Sequence, residues 1–260
     1  MIKVIKIGGN VVDSPKLLEK FCKDFASLKG PKVLVHGGGK IASDFQRRLG
    51  MEPQMVEGRR VTDPQTLQLV TMVYAGWCSK HITALLQSNG CNAMGLAGCD
   101  AGLITASRRA PKLLSDGVTR LDYGLVGDVK PESVDAERLL RLIDSGTVPV
   151  FCAISHDGHG ELLNTNADTI ASSISAAIKA ELLYCFEKNG VLYSLDDPSS
   201  VIPLLDFNGY TRLKDEGRVA QGMIPKLDNA FSALRSGATG VRILHSSSLL
   251  DGSAGTRLAL

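Results

Sequence analysis

Lysine, aspartate, asparagine and glycine stand where several apolar runs of this sequence break off, and these residue types together are suited to holding anions. Lys6 lies at the far end of the run 2–7 (IKVIKI), directly ahead of Gly8-Gly9. On a central strand its neighbours are buried on both faces, and a buried ammonium is costly without a partner. On an edge strand the same lysine would snorkel to water. His36-Gly37-Gly38-Gly39-Lys40 ends a second apolar run and opens a helix. Glycines admit close approach of a ligand to the backbone, and the helix start adds unpaired N–H groups and a positive dipole end. The alternative is a tight turn that needs glycine conformations. Gly37, Gly39 and Ala42 also fit G-x-G-x-x-A, a weak dinucleotide fingerprint here because it follows the second strand and Glu57 falls in a loop.

Asn164-Thr165-Asn166-Ala167-Asp168 enters a small-residue helix. Its plain reading is a helix start with Asn166 as N-cap and Asp168 in the first turn. Two amides and a carboxylate at such a junction also form a polar cluster able to bind a carboxylate and orient a cation. In Gly222-Met223-Ile224-Pro225-Lys226, proline marks a helix start and places Lys226 in the first turn, against the macrodipole unless an anion binds there. A solvated lysine is the alternative. Arg59 and Arg60 make a fork suited to two-point capture of a carboxylate, the alternative being that one of the pair faces solvent. His156-Asp157-Gly158-His159 reads as a glycine hairpin turn rather than a metal site.

These residues need a scaffold that brings strand ends together. The 260-residue chain has 29 basic and 27 acidic side chains, a formal net charge of +2, and 44% hydrophobic residues. That balance argues against a nucleic-acid binder, and no apolar run approaches the ~20 residues of a membrane span. No leader-like start is read, and six scattered cysteines without CxxC spacing suit a reduced, cytoplasmic protein.

Apolar runs and helical periodicities alternate. Strands are expected at 2–7, 32–36, 93–96, 103–107, 148–154, 161–163, 182–186, 191–193 and 240–245, with a terminal GTRLAL segment. Helices are expected at 14–28, 39–49, 64–88, 133–144, 167–179, 210–216 and 225–236. Residues 117–130 read as a hairpin carrying little core, and 196–203 as the loosest segment. This alternation indicates an α/β fold, an open and mostly parallel central sheet with helices on both faces in three layers. Ligands bind beyond the carboxyl ends of such strands, where the candidate residues lie.

The strings Lys6-Ile7-Gly8-Gly9, VHGGG (35–39), GRRVTD (58–63), NTNAD (164–168), GMIPK (222–226) and GTRL (255–258) resemble, nearly end to end, the amino-acid kinase family and within it the acylglutamate branch. The resemblance implies a single domain over 1–260, with an N-terminal lobe (about 1–175) for the acylglutamate and a C-terminal lobe (about 176–260) for the nucleotide. It implies phosphoryl transfer from ATP to the side-chain carboxylate of an N-acylated glutamate, in arginine biosynthesis, with Mg²⁺ bound mainly through the nucleotide and no protein metal site. Lys6 and Lys226 would neutralise the moving phosphoryl group and Asp168 would hold both lysines. Gly38 and Gly39 would contact the substrate, while Arg60 and Asn164 would grip its α-carboxylate. Gly8, Gly9, Glu187, Gly190 and Gly222 would face the nucleotide. Glu187 stands where members often carry aspartate, and Ser79-Lys80 where Asn-Lys is common. Arginine-inhibited members carry an extra N-terminal helix, so a homodimer without arginine feedback is expected, with no nucleic-acid or membrane partner. Other acceptors used in the family (aspartate, glutamate, carbamate, a nucleoside monophosphate), a catalytically silent sensor and a Rossmann dehydrogenase are the competing readings.

Overall fold

The computed structural model describes every residue except Glu57, Leu114, Ser115, Asp116, Thr119, Leu195, Pro198, Ala220 and Gln221. Apolar runs rich in Val, Ile and Leu build its strands: β1 (Lys3–Ile7), β2 (Lys32–His36), β3 (Ala93–Leu96), β4 (Val148–Phe151), β5 (Glu181–Phe186), β6 (Leu204–Asp206), β7 (Gly240–His245) and β8 (Thr256–Ala259). Together they form one sheet in the order β6-β8-β7-β5-β1-β2-β4-β3. Every neighbouring pair runs parallel except β7 and β8. Val4 and Ile5 point to opposite faces of β1 and both are fully buried, so the sheet is covered on both sides.

Helices α1 (Pro15–Ser27), α2 (Gly39–Arg48), α3 (Pro64–Thr71), α4 (Ser79–Ser88), α5 (Ala136–Asp144), α6 (Ala167–Ala177), α7 (Phe207–Asp215) and α8 (Ile224–Arg235) supply that cover. In α1, Leu18, Phe21, Cys22 and Phe25 form the buried stripe, while Leu17 is turned outward. Small residues on α6 let it lie close over β1, β2 and β5 and pack against α8.

Strand order decides where a ligand can sit. β1 lies between β2, which leads to β4 and β3, and β5, which leads to β7, β8 and β6. In register, Lys6 pairs with Val35 of β2 and Tyr184 of β5, and Ile7 with His36 and Cys185. The carboxyl ends of the three central strands therefore open onto one crevice at the point where the order reverses.

Several local expectations need correction. The run 148–154 is split: β4 leaves the sheet after Phe151, and Ile154–His156 pairs antiparallel with Leu162–Asn164 around the expected glycine turn. The segment 117–130 does not fold on itself alone. Arg120–Leu121 pairs with Lys112–Leu113, and Gly127–Asp128 with Ser107–Arg108. It does carry core, because Tyr123, Val126 and Val129 are buried. At 191–193 there is one bridge, Leu192 to Val201, instead of a strand. β6 and the helical turn Gly9–Val12 had no expectation attached. The expected helix at 64–88 is continuous but π-helical over Met72–Cys78. Glu57 falls outside the described residues.

Candidate active site

Asp168 is the hub of the crevice. Lys6 Nζ lies 2.6 Å from its Oδ1, and Lys226 Nζ lies 3.5 Å from its Oδ2. Each arrives from a different element. Lys6 comes from the end of β1, Asp168 from the first turn of α6, and Lys226 from the first turn of α8. The α6 turn is set by Asn166, whose Oδ1 accepts from the backbone N–H of Asp168 (2.8 Å) and Thr169 (3.2 Å). Tyr184 of β5 donates its hydroxyl to the Asp168 carbonyl at 3.0 Å, tying that turn to the sheet. Burial would by itself raise the Asp168 pKa, but the ammonium groups of Lys6 and Lys226 outweigh it and hold the carboxyl below its usual range. Lys6 thus has the partner that a buried lysine needs, and its strand is central rather than an edge.

Two clefts meet at this triad. The first, about 190 Å³, is lined by Lys6, Gly37 to Gly39, Arg59, Arg60, Tyr74, Asn164 and Asp168, with Met55, Val126 and Ala153 among the apolar walls. Gly38 is the N-cap of α2 and has no side chain to satisfy the first amides, so these remain available to an anion. A Cβ at Gly38 would stand 2.9 Å from Tyr74 Cδ1 and 3.0 Å from Cys78 Sγ, so only glycine fits. Behind this loop, His36 is fully buried with Nδ1 2.8 Å from the Gly37 carbonyl oxygen. Burial pushes its pKa down to about 4, leaving a neutral ring at the base of the loop.

Arg60 is buried on neutral acceptors. It donates to Gln46 Oε1, to the Gly39 carbonyl and to Ser43 Oγ, the latter two at 2.8 Å. No carboxylate pairs with it among the described residues, so the site holds a fixed, uncompensated guanidinium. Asn164 Nδ2 donates to Thr62 Oγ1 at 3.0 Å, which aims the amide from the opposite wall.

The second cleft, about 400 Å³, is more apolar and is lined by Phe186, Glu187, Lys188, Gly190, Val191, Leu192, Arg218, Val219, Gly222, Met223 and Lys226. Lys226 Nζ sits 5.7 Å from the Phe186 ring centroid, at the boundary with the first cleft. Gly190 takes φ +158°, and a Cβ there would stand 2.7 Å from Thr256 Oγ1, which itself accepts from Val191 N–H.

The geometry therefore groups Lys6, Gly38, Gly39, Arg60, Asn164 and Asp168 around one cleft, and Glu187, Gly190, Gly222 and Lys226 around the other. Gly8 and Gly9 line neither. They start the helical turn after Lys6, and a Cβ at Gly8 would stand 3.1 Å from Phe186 Cβ, behind the second cleft. Sequence reasoning passed over Tyr74, Gln46, Ser43, Thr62 and Tyr184. Tyr74 is buried beside Arg60 and lines the first cleft from the π-helical turn, yet its spacing is that of an ordinary core residue.

Adjoining clefts, one lined with cations and one mostly apolar, on the switch point of a parallel sheet define a protein that brings an anionic acceptor up to a phosphorylated donor. The chain belongs to the amino acid kinase family, whose profile matches residues 1–245. Its relatives include the acetylglutamate kinase of Cytophaga hutchinsonii, 48% identical over 252 residues that cover 95% of this chain and 92% of that protein. The acetylglutamate kinase of Bacteroides thetaiotaomicron is 46% identical, with 99% of this chain and 98% of that protein covered. Among solved structures, the N-acetylglutamate synthase of Neisseria gonorrhoeae, complexed with coenzyme A and N-acetyl-glutamate, superimposes with a TM-score of 0.81 at 22% identity. All of this chain is matched there, and it spans 59% of the synthase. The carbamate kinase of Giardia lamblia bound to AMP-PNP gives a TM-score of 0.70 at 16% identity, covering 99% of this chain and 97% of the other. At those identities the two structures establish the shared fold.

Proposed function

We infer that this chain is an ATP-dependent kinase acting on the γ-carboxylate of N-acetyl-L-glutamate or another N-acyl-L-glutamate, forming the acyl phosphate in arginine biosynthesis. The observation that carries the reading is Asp168 between Lys6 and Lys226 where the two clefts join. Full-length relatives named acetylglutamate kinase support the acceptor class.

Electrostatics is the task of such a site. A glutamate carboxylate, with a pKa near ~4.3, is already the nucleophile at neutral pH and needs no general base. Two unit anions ~4 Å apart repel by ~4 kcal/mol at an effective dielectric of ~20. With Asp168 shared between them, Lys6 and Lys226 keep one net positive charge at the point where the anions meet. Lys6, from the acceptor cleft, steadies the entering oxygen and the transferring group; Lys226, from the donor cleft, follows the charge that develops on the leaving phosphate. Arg60 and Asn164 hold the α-carboxylate, and the Gly38 and Gly39 segment with the start of α2 takes the oxygens of the acceptor and the moving phosphoryl group. Glu187, Gly190 and Gly222 line the nucleotide cleft, and Gly8, against Phe186, backs its wall, with Gly9 following at the start of the helical turn. The N-terminal lobe (about 1–175) thereby serves the acceptor and the C-terminal lobe (about 176–260) the nucleotide.

Both Asp168 oxygens face ammonium groups, and among the described residues no group of three or more His, Cys, Asp or Glu could hold a metal ion. Mg²⁺ would ride on the nucleotide phosphates, where it would supply charge neutralisation. Exposed Met72 and Trp77 on the helical run 64–88 support a homodimer, to be read by sedimentation. Six free cysteines, mostly buried, support a cytoplasmic setting, and no helix among the described residues is long and apolar enough to cross a membrane.

The test is ATP-dependent acyl phosphate formation, trapped by hydroxylamine, on N-acylated glutamates beside free glutamate, aspartate and carbamate. Product from N-acylated glutamates is expected. Product only from an unacylated acceptor, or from none, overturns the reading.

A further inference from the structure

The acceptor cleft contains a cation that the glutamate skeleton does not use. Arg59 lines it next to Arg60, is half-buried, and makes no hydrogen bond or ion pair among the described residues. Arg60 has three neutral acceptors to fix it; Arg59 has none. Behind Arg59 stands a second guanidinium, Arg109. Its backbone N–H donates to the carbonyl of Val126, a wall residue of the cleft, and that wall is bridged to Asn164.

Arg109 is bonded to Asp128 and stacked 5.6 Å from the Tyr123 ring centroid. The cluster is nonetheless incompletely satisfied. Arg109 Nε and the hydroxyl of fully buried Tyr123 have no hydrogen-bond partner. Arg59 feels burial first and the like charge of Arg109 second, both of which oppose its protonated form. Arg109 takes the Asp128 carboxylate in a direct pair, whereas Arg59 feels Asp128 and Asp168 only through space and has no acceptor of its own among the described residues. Such an arrangement is costly by itself and is relieved by an anion at Arg59.

Resting on the function proposed above, the count of ligand charges is short. The γ-carboxylate meets Lys6, and the α-carboxylate meets Arg60 and Asn164. An acetyl group is neutral and would leave Arg59 facing a methyl. We propose that Arg59, backed by Arg109, is a second anion subsite of the acceptor cleft, and that the acyl group it takes ends in a carboxylate. The acceptor class is then an N-(dicarboxylic acyl)-L-glutamate, bound by a bidentate pair between Arg59 and the acyl tail.

The experiment compares kcat/KM of the full-length enzyme with ATP for N-acetyl-, N-succinyl- and N-succinamoyl-L-glutamate. The last has the shape of the succinyl compound with a neutral amide end. N-succinylglutamate is expected to exceed N-acetylglutamate by about tenfold or more, as for a desolvated charge-assisted pair, and the amide is expected to lose that advantage. In Arg59→Met the succinyl-to-acetyl ratio should fall toward one, and Arg59→Lys should retain part of it. An acetyl preference in the unmodified enzyme, equal use of the amide, or a ratio unmoved by Arg59→Met overturns the subsite. If a variant does not fold, the amide comparison on the unmodified enzyme decides. Failure to phosphorylate any N-acylglutamate would instead overturn the parent function, so the two failures are distinct.

Discussion

Lys6 Nζ approaches Asp168 Oδ1 to 2.6 Å although 162 positions of sequence separate the two residues, and both side chains are nearly shielded from water. The pairing closes only when β1 and the start of α6 are both in place, so this contact links folding to chemistry. Removing the acid leaves two ammonium groups at one point. Asp168→Asn should cost about 3 kcal/mol of stability, as for breaking a buried ion pair, and should lower kcat as well. Urea unfolding checks the first effect. Because the folded-state pKa is held below the unfolded value, the contribution is present above about pH 4 and is lost as pH falls through the folded value. The gap between wild type and variant should therefore narrow on acidification below about pH 4.

His36 gives acid sensitivity in a higher window. Its pKa falls to about 4 in the folded chain, while an unfolded histidine titrates near ~6.5. Between those values the unfolded state binds the extra proton, so stability drops as pH falls, by up to about 1.4 kcal/mol per pH unit from this group. His36→Asn, which keeps a donor for the Gly37 carbonyl, should flatten that part of the curve. Equal slopes in urea titrations between pH 6.5 and 4.5 would count against it.

Gly38→Ala should fail sterically before it fails chemically. Its Cβ would press on the Tyr74 ring and Cys78 Sγ. Overpacking of this kind costs about 1–3 kcal/mol, and the shift of Tyr74 reaches Arg60. The acceptor KM should rise several-fold with the ATP KM little changed; steady-state kinetics with each substrate varied separates the two.

Gly190→Ala should produce the opposite split. A Cβ 2.7 Å from Thr256 Oγ1 disturbs the hydroxyl that accepts from Val191 N–H in the wall of the second cleft. The ATP KM is expected to rise while the acceptor KM holds, and an unchanged ATP KM would remove Gly190 from the nucleotide site.

Legibility followed from how far a residue's surroundings are local. A charge ending an apolar run before two glycines marks Lys6, and Asn166-Ala167-Asp168 spells a capped helix start, because both signals lie within a few residues. The parallel sheet was readable for the same reason. Tyr74 was hidden because its helical spacing is that of core, and only the Gly38 loop and Arg60, from other parts of the chain, give it a site role. Val148 to Ile154 reads as one apolar run, and nothing in those residues announces that β4 ends at Phe151 before a separate hairpin strand begins. The buried Tyr123 was likewise obscured, since the strands around it pair with residues 107–113 rather than with each other.

The most direct test of two amines acting on one transferring group is a kinetic cycle of Lys6→Ala, Lys226→Ala and the double variant, with kcat and both KM values measured on folded protein. Each single change should lower kcat by about a hundredfold or more, as for loss of one preorganised transition-state donor, with far smaller changes in KM. Because both amines are held by Asp168 and act in one transition state, the double variant should lose less than the product of the two single losses. Wild-type kcat in either single variant, or a loss confined to KM, would contradict the account.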